Sequence, residues 1–350
     1  MRGAGYAARP VSPIPAATAL RPLAMGEMID RAATFWRAHV KPLFLLSFGF
    51  TLVNYIATKA MLMVNQRLAP LFYTGNTESR AQLDPDVVLP QAAITVALWT
   101  TLFLFLLWVY WLATVATSRY VLTAQLGEPV RPAEALRRGF SRLGTLTGVY
   151  LLSLGWSALV TLALMLPGFL IAVIGVAAGL ASGSNTLAAV LGVVGALLAG
   201  LGLVAAALWY MLRFLLVPPV LAMEDLGAWE TFRRSGQLLS GRVEPGFLGR
   251  VMVRAMILFT VVSLILISVQ LVSGLPSWLV MLPYGNPFEA GTMARTPQLL
   301  LVPVELVQTV AQSFFTPINF VFCALFYLDM RVRREALDLE HQLDTTAPAP

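Results

Sequence analysis

The stretch that decides the fold is Arg213-Phe-Leu-Leu-Val-Pro-Pro-Val-Leu-Ala-Met-Glu224-Asp-Leu-Gly-Ala-Trp-Glu230-Thr-Phe-Arg-Arg234-Ser-Gly-Gln-Leu-Leu-Ser-Gly-Arg242. A long apolar run ends at Arg213. The pair Pro218-Pro219 then breaks the chain, because proline lacks an N–H and restricts the residue before it. A short basic amphipathic helix follows. Weaker copies of this design, an interfacial helix ahead of two apolar runs, stand twice more upstream.

The apolar runs on either side of this stretch set the class. Of the 350 residues 58% are hydrophobic and 12% charged, against about 25% charged in a soluble domain. Several runs reach the roughly 20 apolar residues that cross a bilayer. Alternating segments of about 10 residues, the mark of a membrane barrel, are not seen. The expected fold is all-α and polytopic, a single membrane domain over residues 23–341. Spans are read at 43–64, 92–118, 143–181, 186–217, 251–273 and 299–328. Residues 1–22 lack a signal-peptide h-region and read as a disordered cytoplasmic tail, as do 342–350 at the other end. Loops are expected at 65–90, where Asp84-Pro85-Asp86 suits a turn, and at 274–298. Arg331 starts a charged tail helix.

Residues 143–217 are apolar enough for more than two crossings, and charge decides among the topologies. A further crossing would put Arg233, Arg234 and Arg242 outside, against the tendency of Lys and Arg to collect on cytoplasmic loops. One long hairpin is therefore expected, kinked at Pro167 and turning at Ser182–Asn185, its tip either protruding or re-entrant. Gly175-xxx-Gly179 and Gly192-xxx-Ala196-xxx-Gly200 would let its arms pack closely. With six spans, only Lys59, Arg67, Arg80 and Arg295 of the 24 basic residues fall on the outer half, so both termini are expected in the cytoplasm. The net charge of +6 is then the signature of orientation and implies no nucleic-acid partner.

Three segments align without gaps: Glu27 to Trp36, Glu134 to Leu143 and Glu230 to Leu239. Each opens on Glu with Arg four residues on (Arg31, Arg138, Arg234), a favourable ion-pair spacing on a helix. Each has a small residue in sixth place and apolar residues in third and tenth, on one helical face. Each precedes two spans. The pattern reads as three units of interfacial helix plus hairpin.

Two sets of residues carry functional readings. The last span has Glu305, Gln308, Gln312, Thr316 and Asn319 at steps of three and four, a stripe that should face the bundle interior. The first span answers with Thr51, Asn54, Thr58 and Lys59, and Lys59 and Glu305 lie at depths that allow pairing. The stripe serves either a polar cavity or helix–helix hydrogen bonding that needs no ligand. Arg119 and Arg213 each end a span, and with Arg233 and Arg234 they are candidates for lipid headgroups at the inner leaflet; snorkelling also accounts for the first two.

Enzyme signals are missing. There is no Walker loop, zinc motif or Gly-x-Ser-x-Gly, and no plausible nucleophile–base set for a lipid hydrolase. Only His39, His341 and Cys323 could add soft ligands, and they do not cluster. No metal site, cofactor or catalytic residue is expected.

The stretch from Arg213 to Glu224, with Glu230-Thr-Phe-Arg-Arg-Ser, resembles the bacterial glycerophosphoryl diester phosphodiesterase membrane domain. So do Gly26-Glu-Met-Ile-Asp-Arg31 and Leu325-Phe-Tyr-Leu-Asp-Met-Arg331-Val-Arg-Arg-Glu335. Leu166-Pro167-Gly168 is similar to the related YciC-like inner-membrane proteins. Together these cover about residues 23–341. The resemblance implies a bacterial inner-membrane protein. It implies no hydrolysis, because the fused catalytic domain of some members carries paired histidines and an early His-Arg-Gly motif, absent here. The first function expected is non-enzymatic binding of membrane lipids or a membrane-protein partner. The alternative is transport of a small solute or lipid along the stripe from Glu305. Nothing in the sequence sets an oligomeric state.

Overall fold

The computed structural model describes residues 21–68, 85–183, 185–247, 249–288 and 292–336. The expected tails lie almost wholly outside these residues, as does most of the expected loop at 65–90. Among the described residues the elements are all helical: α1 (Met25–Ala38), α2 (Val40–Leu68), α3 (Pro85–Gln125), α4 (Pro132–Ser141), α5 (Leu143–Ser182), α6 (Asn185–Phe214), α7 (Val217–Met223), α8 (Ala228–Leu239), α9 (Val251–Met281), α10 (Thr292–Arg295) and α11 (Gln298–Glu335). Six of these, α2, α3, α5, α6, α9 and α11, are long and apolar enough to cross a membrane. The chain is an integral membrane protein.

The helices overrun several expected limits. Pro85 opens α3, a position where a missing N–H costs nothing. Helix α9 continues through Pro276 to Met281. Helix α11 absorbs the charged tail helix, because the ion pairs Asp329–Arg333 and Arg331–Glu335, each at 2.9 Å and four residues apart, support unbroken helix there. Helix α5 likewise runs on through Pro167 to Gly183, whose φ of 67° ends it in the left-handed conformation that glycine tolerates. Pro317, inside α11, cannot bond the carbonyl four residues back. Ser47 of α2 donates its hydroxyl to that carbonyl, Ser313 O. Trp36 Nε1 of α1 bonds the next one, Phe314 O, at 2.8 Å.

The α5–α6 hairpin packs on itself through glycine; Gly175 and Gly179 of α5 are buried as expected, but on α6 the register differs from the expected one. A side chain at Gly192 or Gly200 would meet nothing. The buried contacts are Gly168, where a Cβ would collide with Ala199, Gly175 against Leu191, Gly195 against Ala172 and Gly202 against Leu164. Gly168 and Gly175 are seven apart, as are Gly195 and Gly202. This seven-residue spacing lets the arms meet closely between residues 164–175 and 191–202. The hairpin touches the other helices mainly at its base. There Tyr150 OH donates to Leu104 O at 2.6 Å, Trp108 Nε1 donates to Thr147 at 3.1 Å, and Trp156 meets Phe232 edge-on.

The three interfacial helices α1, α4 and α8 gather on one basic face of the molecule. Their sixth-place residues Ala32, Gly139 and Ser235 are all buried. The expected Glu–Arg pairs within each helix do not form. Glu134 and Glu230 instead sit at the third helical position and accept from the backbone N–H of Arg131 and Gly227, which is the glutamate half of a capping box. The arginines reach further. Arg31 donates to Gln125 at 2.7 Å, Arg138 to Asp225 at 2.7 Å and Arg234 to Glu335 at 2.6 Å. Arg31 and Arg234 each clasp the last residue of the second membrane helix of their own unit, whereas Arg138 clasps Asp225 in the segment between α7 and α8, so the arginine contact recurs in all three units with a different anchor in the second.

Arg138, Arg142 and Arg119 hold the Asp225 carboxyl below its ordinary range, the hydrogen bond from Arg138 leading. Arg333, and Arg254 beside it, do the same for Glu244. A carboxyl depressed in the folded state stabilises above its unfolded pKa, about 4, and that stabilisation is lost as pH falls through the folded value. Thermal melting should therefore be flat between pH 5 and 8 as far as these groups are concerned, with the loss confined to more acid solution and smaller in Asp225→Asn. For the hairpin, Gly195→Leu should destabilise by about 1–3 kcal/mol through overpacking, whereas Gly192→Leu leaves the melting temperature in detergent unchanged.

Candidate functional site

The polar stripe of α11 does face inward, and it meets α2 across a cavity. Helix α11 packs on both α2 and α9, and the gap left between them encloses about 580 Å³. The lining runs from Phe50 to Leu62 on α2, about 18 Å at 1.5 Å per residue, towards the face opposite the arginine clasps. Glu305, Gln308, Gln312 and Thr316 come from α11, Thr51, Asn54, Thr58 and Lys59 from α2.

Lys59 Nζ lies 2.7 Å from the Glu305 carboxylate and donates to Gln298 Oε1 at 2.7 Å. Tyr55 OH donates to Glu305 Oε2 at 3.2 Å. The side chains of Lys59 and Glu305 are 11% and 15% exposed, so the pair is largely desolvated. Removing one partner would strand the other charge. An ammonium has three donors and a carboxylate about four acceptor sites; the bonds described use two at Lys59 and two at Glu305. Both retain capacity toward the cavity, with opposite sign.

Four polar lining residues were not singled out from the sequence. Gln270 of α9 accepts from Gln312 Nε2 at 2.5 Å, and Tyr110 of α3 accepts from Asn319 Nδ2 at 2.6 Å. Tyr55 and Thr309 are the others. The signal for Gln270 was available, as the one amide in an otherwise apolar span. Gln308 faces the cavity without a hydrogen-bond partner among the described residues. Asn319 stands just below the stripe's cavity, at its Tyr110 wall.

The four candidate arginines divide. Arg234 is committed twice, to Glu224 at 3.0 Å and to Glu335 at 2.6 Å, with Tyr327 OH also on Glu224 at 2.8 Å. It belongs to the clasp and offers little to a headgroup. Arg119 is half-buried with Nη1 3.4 Å from Met223 Sδ. Arg213 is half-buried and lies flat over Gly236, where any Cβ would strike the guanidinium. Arg233 is exposed. Among the described residues, no group of three or more His, Cys, Asp or Glu side chains could hold a metal ion. Cys323 is buried in apolar surroundings, and His39 stacks on Phe35 at 4.1 Å.

The pair predicts a non-additive mutant series. Lys59→Met and Glu305→Gln should each destabilise by about 3–5 kcal/mol, while the double variant loses much less than the sum. Melting in one detergent measures the coupling.

No family model, no curated protein and no solved structure matches this chain.

Proposed function

We propose that this chain is a non-enzymatic integral membrane protein that binds a zwitterionic lipid headgroup in the cavity between α2, α9 and α11. One observation carries the reading: Lys59 and Glu305 sit side by side in a roomy polar cavity, neutral as a pair and each with bonding capacity left. A phosphate beside Lys59 and an ammonium beside Glu305 would use that capacity without adding net charge to a desolvated site. A headgroup of the phosphoethanolamine type has this chemistry.

The setting is the inner membrane of a bacterium, with the clasp face and both termini in the cytoplasm. The concentration of arginine on that face supports this orientation. The resemblance to the glycerophosphoryl diester phosphodiesterase membrane domain supports the setting and supplies no activity. Arg119, Arg213 and Arg233 remain available on the same face for anionic headgroups of the inner leaflet.

Native mass spectrometry of the gently purified protein tests the site. Phospholipid should be retained stoichiometrically, and Lys59→Met/Glu305→Gln should lower the retained fraction at least tenfold. Retention untouched by that double variant but lost in Arg119→Ala/Arg213→Ala would move the headgroup site to the basic face. The second reading, transport, rests on the same polar lining. It requires flux in reconstituted vesicles that Glu305→Gln abolishes, and no flux in the parent protein ends it.

A further inference from the structure

A second cavity, of about 150 Å³, lies between α3, α6, α9 and α11. Its walls are Leu107, Trp111, Phe214, Phe259 and Cys323, with Tyr110 and Asn319 at one side. Tyr110 also lines the polar cavity, so the two spaces meet at the Tyr110–Asn319 hydrogen bond. From the face opposite the clasps inward, the order is an ion pair, then amides and hydroxyls, then a tyrosine, then aromatic and aliphatic carbon. That is the order of polarity along a lipid molecule seated in the leaflet at that face, from headgroup to chain.

We infer that the apolar cavity is the subsite for a hydrocarbon chain whose headgroup occupies the polar cavity, so that the occupant is an amphiphile held through both. The inference rests on the headgroup reading and extends it to the chain. In size the subsite compares with an apolar protein cavity of about 150 Å³ that stays dry and admits a benzene ring, so it takes a short section of chain. Surrounding lipid is as apolar as these walls, so burial alone brings no gain and van der Waals fit decides. The headgroup then supplies affinity, and the cavity selects by chain shape. Asn319, donating to Tyr110 OH at 2.6 Å, positions the ring at the point where the chain must turn past it.

The test uses the full chain reconstituted in vesicles of phosphatidylethanolamine carrying a photoactivatable diazirine in mid-chain. Photolabel is expected on Leu107, Trp111 or Phe259. Label confined to the outward faces of α5 and α6 overturns the subsite. In parallel, the chainless analogue glycerophosphoethanolamine is titrated against wild type and Phe259→Trp, which fills the cavity. The variant should bind the analogue like wild type while retaining phosphatidylethanolamine at least tenfold less. Undiminished retention overturns the chain subsite and leaves the headgroup reading standing. If wild type binds neither the analogue nor the lipid, the headgroup reading fails and the subsite with it. Should Phe259→Trp fail to fold, the labelling pattern in wild type decides alone.

Discussion

The interaction on which the rest depends is the knot around Asp329. Its side chain is fully buried and Arg254 is 3% exposed, a placement that is tolerated only where each charge finds several partners. Asp329 accepts from Arg333 Nε at 2.9 Å and from the backbone N–H of Leu23 at 2.8 Å, and lies 3.6 Å from Arg254. Arg254 and Arg333 both donate to Leu23 O and both reach Glu244. One carboxylate thus ties the start of the first unit to both membrane helices of the third. The arginine clasps of the individual units close the same face, and the polar cavity lies towards the other.

This division explains how a largely desolvated ion pair can sit beside open space. Lys59 and Glu305 are joined directly, so neither relies on the cavity for its charge balance. Tyr55 and Gln298 take the next positions. The helices around them are set by contacts lower down, at Ser47, Thr51 and Ser313, where the proline in α11 frees a carbonyl for α2. The cavity walls are fixed by contacts at its inner end, where Thr51 both lines the space and bonds Ser313.

Local periodicity made much of this readable from the sequence. The stripe from Glu305 to Thr316 and its answer on α2 follow from steps of three and four, because helix geometry alone puts such residues on one face. Six spans and three interfacial helices follow from apolar length and alternation with charge. The glycine register of α6 was misread, though not that of Gly175 and Gly179 on α5, because every glycine in the hairpin sits in an equally apolar setting. Four-residue and seven-residue spacings are both present, and only the partner arm selects between them. The Glu–Arg motifs were recognised as a repeat but given the wrong chemistry: Glu134 and Glu230 cap, Glu27 pairs with Arg21, and the arginines of the motifs bind residues 94, 87 and 101 positions away. Separations of that size leave no periodic trace. For the same reason the commitment of Arg234 to the clasp was invisible, while Arg213 could be placed only once Gly236 was seen beneath it.

The position of Asp329 near the end of the chain has a consequence for biosynthesis. Each hairpin joins neighbouring segments and can form as it emerges, since local contacts close early. The bond between Leu23 and Asp329 spans 306 residues and has to wait for the last membrane helix. Until then Arg254 has Glu244 alone as a counter-charge, and the N–H of Leu23 lacks its acceptor on α11. The knot is therefore closed by a single carboxylate on the last membrane helix.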